Sequence, residues 1–271
     1  MNNHKKIKIG IFDSGLGGLT VFKSLASRYR ANISFIYLGD LAHLPYGSKS
    51  QESIIKYSQK IIDFFIKKKV DIIIVACNSA SSVALPSLKT NIPIIGTINP
   101  SIQTVLNNQN IKSIALIGTE TTIKSKAYHK QFIKYPKYSI SSVACPLFVP
   151  LVEQGWENTD IAHQIAIKYL SVFNGLKLDT VILACTHYPM LIKTLKSTFD
   201  KLGHKNLNFI DSGESIANYL STEFYLKPDN NPINLIDLND EFYVTDTCYQ
   251  FNSLADRFLG AKIHDIHLIT I

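Results

Sequence analysis

Val70-Asp71-Ile72-Ile73-Ile74-Val75-Ala76-Cys77-Asn78 and Leu178-Asp179-Thr180-Val181-Ile182-Leu183-Ala184-Cys185-Thr186 are two versions of one segment, 108 residues apart. Each opens on an aspartate, runs through an apolar stretch, and ends on Ala-Cys followed by a polar residue. In each, the cysteine stands six residues after the aspartate. Runs rich in Ile and Val without polar alternation suit strands covered on both faces, the condition of a parallel sheet. Two further pairs recur at nearly the same interval. Ile9-Gly10-Ile11-Phe12-Asp13-Ser14 parallels Ile114–Thr119, and Phe35–Asp40 parallels Ile140–Cys145, both at an offset of 105. Matched strand ends at almost one interval predict a duplicated α/β unit.

Outward from these segments, strands are predicted at Lys8–Phe12, Ser34–Leu38, Ile72–Ala76, Ile92–Ile95, Ser113–Ile117, Ile140–Ala144, Thr180–Ala184 and Leu207–Ile210. Longer stretches of helical period separate them, which is the βαβ signature. The fold class read from this is α/β: two pseudo-symmetric doubly wound domains with mostly parallel sheets. The first domain is expected to take residues 1–97 and, after the chain returns, 212–271; the second takes 98–211. Helices are predicted at Ala80–Lys89, Met190–Leu202 and Ser212–Leu226, and a short strand and helix within Phe242–Leu259. Lys227–Asn239 reads as a loop with turn chemistry at Asp229-Asn230-Asn231-Pro232. Sites in such sheets lie at strand C-termini, so two facing copies would bring Cys77 and Cys185 to one interdomain cleft.

Composition narrows the function classes. The apolar stretches are far shorter than the ~20 residues of a membrane helix, and the N-terminal apolar patch Ile9–Phe12 is too short for a signal peptide. A cytoplasmic protein without membrane association is the expectation. Four cysteines (Cys77, Cys145, Cys185, Cys248) in 271 residues are too sparse for a disulfide scaffold. The formal charge of +7 comes from scattered lysines. The single run, Lys67–Lys69, falls at the end of an amphipathic helix and reads as a solvated face, with no nucleic acid required.

Asp13-Ser14-Gly15-Leu16-Gly17-Gly18 follows a strand and opens a helix, but lacks both the G-x-G-x-x-G spacing and a Walker lysine. A structural turn and an anion cradle are both open for it. A free cysteine has a pKa of about 8.5, and half-ionisation near pH 7 needs about 2 kcal/mol. A helix N-terminus typically supplies ~0.3–1 kcal/mol. Asp13 on one side and His187 on the other are the polar partners at hand. Cys145 reads as structural and Cys248 as packing. Zinc on Cys77, Cys145, Cys185 and His187 is the rival reading, but there is no C-x2-C or H-x3-H spacing, so no metal is expected.

In combination these residues resemble the glutamate racemases of the cofactor-independent aspartate/glutamate racemase superfamily, over nearly the whole chain. The resemblance rests on Asp13–Gly18, Gly39-Asp40 with Pro45-Tyr46-Gly47, Ala76–Ser81, Cys145-Pro146-Leu147, Glu153-Gln154-Gly155, Cys185-Thr186-His187-Tyr188-Pro189 and Asp211-Ser212-Gly213. It implies that Cys77 and Cys185 are the two acid/base thiols, assisted by Asp13 and His187, with Glu153 lining the site. Substrate contacts implied are Asp13, Ser14, Tyr46, Gly47, Asn78, Ser79, Thr122, Thr186 and His187. It further implies no cofactor, glutamate as substrate, D-glutamate supplied to peptidoglycan, a homodimer, and a cell-wall precursor as activator. Three positions depart from the usual pattern: Ser79 for threonine, Asn99 for glutamate and Thr121 for glycine.

The chemistry fits the residues. Inverting an α-carbon without a cofactor needs a base on one face and an acid on the other. Two thiols, one ionised and one not, would exchange roles at each turnover. The competing readings are an aspartate or hydantoin racemase of the same superfamily and, from other classes, a cysteine hydrolase or a metal-binding module.

Overall fold

The computed structural model describes residues 6–31, 33–229, 234–247 and 251–271. Its strands are β1 (Ile7–Asp13), β2 (Ile33–Gly39), β3 (Ile72–Val75), β4 (Ile94–Gly96), β5 (Ser113–Gly118), β6 (Ser139–Ala144), β7 (Thr180–Ala184), β8 (Asn208–Asp211), β9 (Glu241–Val244) and β10 (His267–Leu268). Its helices are α1 (Leu19–Ala26), α2 (Gln51–Lys68), α3 (Asn78–Val83), α4 (Ile98–Leu106), α5 (Glu120–Lys124), α6 (Ala127–Phe132), α7 (Phe148–Glu153), α8 (Asp160–Leu170), α9 (Ile192–Lys201), α10 (Ser212–Glu223) and α11 (Phe251–Leu259). Among the described residues, no helix is long and apolar enough to cross a membrane.

Two sheets form, in the orders β10-β9-β2-β1-β3-β4 and β6-β5-β7-β8, and every pairing is parallel. The inner order of the first sheet, β2-β1-β3-β4, repeats as the order of the second. Register repeats as well. Ile9 pairs with Phe35 and Ile72, and their counterparts at offsets 105 and 108 pair in the same way, Ile114 with Ile140 and Thr180. The matched aspartates explain themselves here. Asp71 Oδ2 accepts from the N–H of Lys8 at 2.8 Å, and Asp179 Oδ2 accepts from the N–H of Ser113 at 2.8 Å. Each ties the start of a cysteine-bearing strand to the start of its neighbour, fixing register.

The largest buried cluster runs from the first sheet, through α1, α10 and α11, to Phe148, Leu195 and Phe199 beside the second. The opposite faces are covered separately, by α2 and α3 on the first sheet and by α4 and α6 on the second. Helix α2 shows how sequence dictates such a cover. Ser50 caps its N-terminus by accepting from Ser53 N–H, and Ile54, Ser58, Ile61, Ile62 and Phe65 fall on one buried face. At its end Lys67 and Lys69 are exposed, while Lys68 pairs with Glu241 at 2.7 Å. That is a favourable place for cations.

Three predicted helix bounds are corrected. The helix expected over Ala80–Lys89 starts at Asn78 and gives way to a 3-10 turn at Leu85–Ser87, because Pro86 cannot continue an α-helix. The helix expected from Met190 begins as a 3-10 turn at Tyr188 and becomes α-helical at Ile192. That expected to Leu226 ends at Glu223. The predicted turn at Asn230–Pro232 and the cysteine at Cys248 lie outside the described residues.

Candidate active site

A cavity of about 350 Å³ opens between the C-terminal ends of the two sheets, at the small end of the ~300–1,000 Å³ typical of ligand pockets. Both Cys77 and Cys185 line it. Cys77 lies two residues beyond the end of β3 and Cys185 directly after the end of β7, both interior strands, so the chain's duplication carries both to the same place. A larger hollow of about 1090 Å³ beside Arg30 touches neither cysteine; the Arg30 guanidinium is already held by Asp240 at 2.7 Å. Chemistry points to the smaller cavity.

Cys77 is the N-cap of α3, and its thiol donates to Ser14 Oγ at 3.6 Å. The N–H groups of Ala80 and Ser14 favour its ionised form, as a helix N-terminus should. Burial outweighs them, with the Asp13 charge adding to it, and the thiol is pushed up to about 11. Cys185 is driven up by burial too, and the charges of Cys77, Asp13 and Glu153 add to this. Burial thus favours the protonated form of both thiols, and the helix termini do not offset it.

The glycine loop has a structural role. The anion it cradles is the chain's own Asp13, whose Oδ2 accepts from Gly15 N–H at 3.1 Å. A Cβ on Gly17 would stand 2.4 Å from both His187 Nδ1 and Thr186 Oγ1, so only glycine lets these residues lie against the loop. Asp13 is fully buried. Burial raises its pKa, opposed by the His187 charge and by the N–H groups of Gly18, Gly15 and Ser14.

Of the predicted residues, Ser14, Tyr46, Gly47, Asn78, Ser79 and Thr186 line the cavity, as do His187 and Glu153. His187 Nε2 lies 3.1 Å from Glu153 Oε1. Asp13 and Thr122 stand behind the wall, not on it. Thr186 Oγ1 reaches Asp13 Oδ1 at 3.4 Å, and Thr119 Oγ1 donates to Thr122 Oγ1 at 3.0 Å. The Tyr46 hydroxyl is engaged by the chain itself, donating to Asp40 Oδ2 at 2.5 Å. The Asn78 amide is likewise spoken for: Nδ2 donates to Ser212 Oγ, and Oδ1 accepts from Thr97 and Tyr128.

Cys145 is buried outside the cavity wall, its carbonyl accepting from Tyr188. Thr119 and Glu120 line the cavity and were not singled out beforehand. Thr119 was findable, since an offset of 105 carries Ser14 onto it. Its hydroxyl lies 2.9 Å from Ser79 Oγ, joining the two halves. Val149 was also findable, one helical turn before Glu153 on α7. Glu120 carried no signal. Thr121, where the family pattern has glycine, donates to Gly47 O at 2.9 Å, while Asn99 is exposed. Among the described residues, no group of three or more His, Cys, Asp or Glu is arranged to hold a metal ion.

Residues 9–220 match the family described as Asp/Glu/Hydantoin racemase. The chain belongs to that family. It is 44% identical over 256 residues to a glutamate racemase of Aquifex pyrophilus, covering 94% of each chain. Among solved structures, it superposes on glutamate racemase from Francisella tularensis in complex with D-glutamate with a TM-score of 0.83 and 33% identity, covering 97% of each chain. A glutamate racemase isoform from Bacillus anthracis gives 0.86 and 30% identity, with coverage of 100% and 99%. The likeness to these family members thus extends over both sheets and the C-terminal return.

Proposed function

We propose that the chain interconverts L- and D-glutamate, with Cys77 and Cys185 as its two proton-transfer groups. The observation that carries this reading is the arrival of two thiols from equivalent strand ends in one ligand-sized cavity. One thiolate removes the α-proton, leaving the electron pair on the substrate carbon, and the other thiol delivers a proton to the opposite face. The balance is a proton exchange with no change of oxidation state, and the two sulfurs end with their roles reversed. Glutamate is favoured as substrate by the full-length likeness to glutamate racemases.

Ionising Cys77 near pH 7 from a pKa of about 11 costs on the order of 5 kcal/mol, more than a helix terminus returns. The base is therefore formed in the loaded cleft, where the substrate ammonium enters beside the sulfurs. Backbone N–H groups and the hydroxyls of Ser14, Ser79, Thr119 and Thr186 hold the carboxylates and the developing negative charge. His187, with Glu153, serves the proton at Cys185.

The same reading divides the chain into one lobe of residues 1–97 with 212–271 and another of 98–211. The chain passes to the second sheet after β4 and leaves it after β8. Supply of D-glutamate to peptidoglycan and assembly as a homodimer belong to the proposal through the family, and sedimentation of the purified chain tests the latter.

Circular dichroism of L- and D-glutamate with purified protein and no added cofactor tests the activity, with aspartate run alongside. Signal decay from either enantiomer is expected, and Cys77→Ala and Cys185→Ala should each lose it by at least about 10³-fold. Full activity in either variant sinks the two-thiol reading.

A further inference from the structure

The His187–Glu153 pair is held from outside its own lobe. Helix α11 belongs to the C-terminal return, packs on α1, and presents Phe258 to His187 and Arg257 to the end of α7. The Phe258 ring stands edge-on to the His187 imidazole, with centroids 5.1 Å apart and planes at 82°. Arg257 Nη2 donates to Val152 O at 3.0 Å and to Glu157 Oε1 and Oε2 at 2.8 and 2.9 Å. Val152 precedes Glu153, the last residue of α7. A guanidinium at a helix C-terminus satisfies a terminal carbonyl and complements the helix dipole. The turn beyond it is fitted to the same group: Gly155 has φ +76°, and a Cβ there would lie 3.4 Å from Arg257 Nη1. One residue of α11 thus backs the imidazole, and its neighbour fixes the helix end that carries the carboxylate.

We propose that Arg257 and Phe258 are positioning residues for the His187–Glu153 pair, so that proton transfer at Cys185, but not at Cys77, depends on α11 being docked. The inference rests on the two-thiol reading above. A ring contact of this kind is worth about 0.5–1.5 kcal/mol, and misplacing an acid–base group by a fraction of an ångström is costly in rate. Loosening α11 should therefore slow one of the two proton transfers selectively.

The test uses Arg257→Ala and Phe258→Leu in the full chain, with Asn252→Ala at an exposed position of α11 as control. Rates are measured with α-protonated and α-deuterated D- and L-glutamate. A fall in kcat of about tenfold is expected. The isotope effect on kcat/KM should rise for the enantiomer whose proton Cys185 removes and fall for the other. Arg257→Lys should recover part of the rate. Where Arg257→Ala fails to fold, Glu157→Gln loosens the same clamp without altering α11 and should show the same divergence. Equal losses in both directions with unchanged isotope effects would overturn the proposal, as would unaltered rates. Absence of racemisation in the parent protein would instead overturn the proposed function itself.

Discussion

The surroundings of Cys77 and Cys185 are the same by position and different by chemistry. An offset of 108 carries Cys77-Asn78-Ser79 onto Cys185-Thr186-His187, and an offset of 105 carries Asp13-Ser14 onto Gly118-Thr119. Each half thus keeps one of the two ionisable helpers and has a small residue at the equivalent place of the other. Asp13 has Gly118 as its counterpart, and His187 has Ser79. The helpers do not stay on their own sides either. Asp13 is the last residue of β1, yet its side-chain partner is Thr186 beside Cys185. Duplication places the sulfurs, and divergence at neighbouring positions decides how each handles a proton. For a reaction that runs both ways, the two half-sites need equal reach but not equal chemistry.

The largest effect that can break this comparison comes from its most unequal position. His187→Asn keeps a hydrogen-bonding side chain but removes the imidazole, and should lower kcat by about 10²–10³-fold, within the usual contribution of general acid–base groups. Ser14→Ala removes the hydroxyl 3.6 Å from the Cys77 sulfur, a neutral contact worth ~1 kcal/mol, and should cost about three- to tenfold. Steady-state rates for the two variants decide it. Equal losses would mean that the half-sites are chemically equivalent after all.

A smaller effect is expected from the loop between them. Gly17→Ala forces a methyl to within 2.4 Å of His187 and Thr186, an overpacking that costs about 1–3 kcal/mol and lowers Tm by roughly 2–12 °C in a chain of this size. Gly15→Ala is the matched control, since its added Cβ meets nothing nearer than 3.8 Å, and its Tm should stay close to the parent's. Thermal melts that failed to separate the two would show that the loop yields, and that close approach is not why glycine stands there.

How far all this was legible depends on where the information sits. Eight strands were readable because a doubly covered parallel strand must be apolar throughout, and the duplication was readable because equivalent strands keep equivalent ends. Even Thr119 followed from the offset to Ser14. Helix bounds were less legible where Pro86 and Pro189 impose 3-10 turns. The two-residue strand His267–Leu268 is exposed and carries no periodic signal. Arg257 and Phe258 could not have been found, since their meaning comes from a helix of the C-terminal return docking on α7. The direction of the thiol pKa shifts was not legible for the same reason. A strand end followed by a helix advertises a positive dipole in sequence, whereas the depth of burial that overrides it exists only after the two sheets meet.

That reversal leads to the smallest effect, a pH dependence of stability. Cys77 is held at about 11 in the fold against about 8.5 in an unfolded chain, so the folded state binds its proton more tightly. Below about pH 8.5 both states are protonated and the contribution is present in full. As pH rises from there towards 11, the unfolded chain ionises first, and stability falls by up to about 1.4 kcal/mol per pH unit per thiol. Cys185 has the same sign of shift, so both sides contribute, and lysine titration adds a background common to all variants. Cys77→Ser and Cys185→Ser substitute a group that does not ionise in this range. Each should flatten the decline of Tm between pH 8.5 and 10 relative to the parent, and the double variant should flatten it most. Parallel curves for parent and variants would mean that the thiols are as easily ionised in the fold as out of it, and the cost of forming the base would fall from about 5 to about 2 kcal/mol.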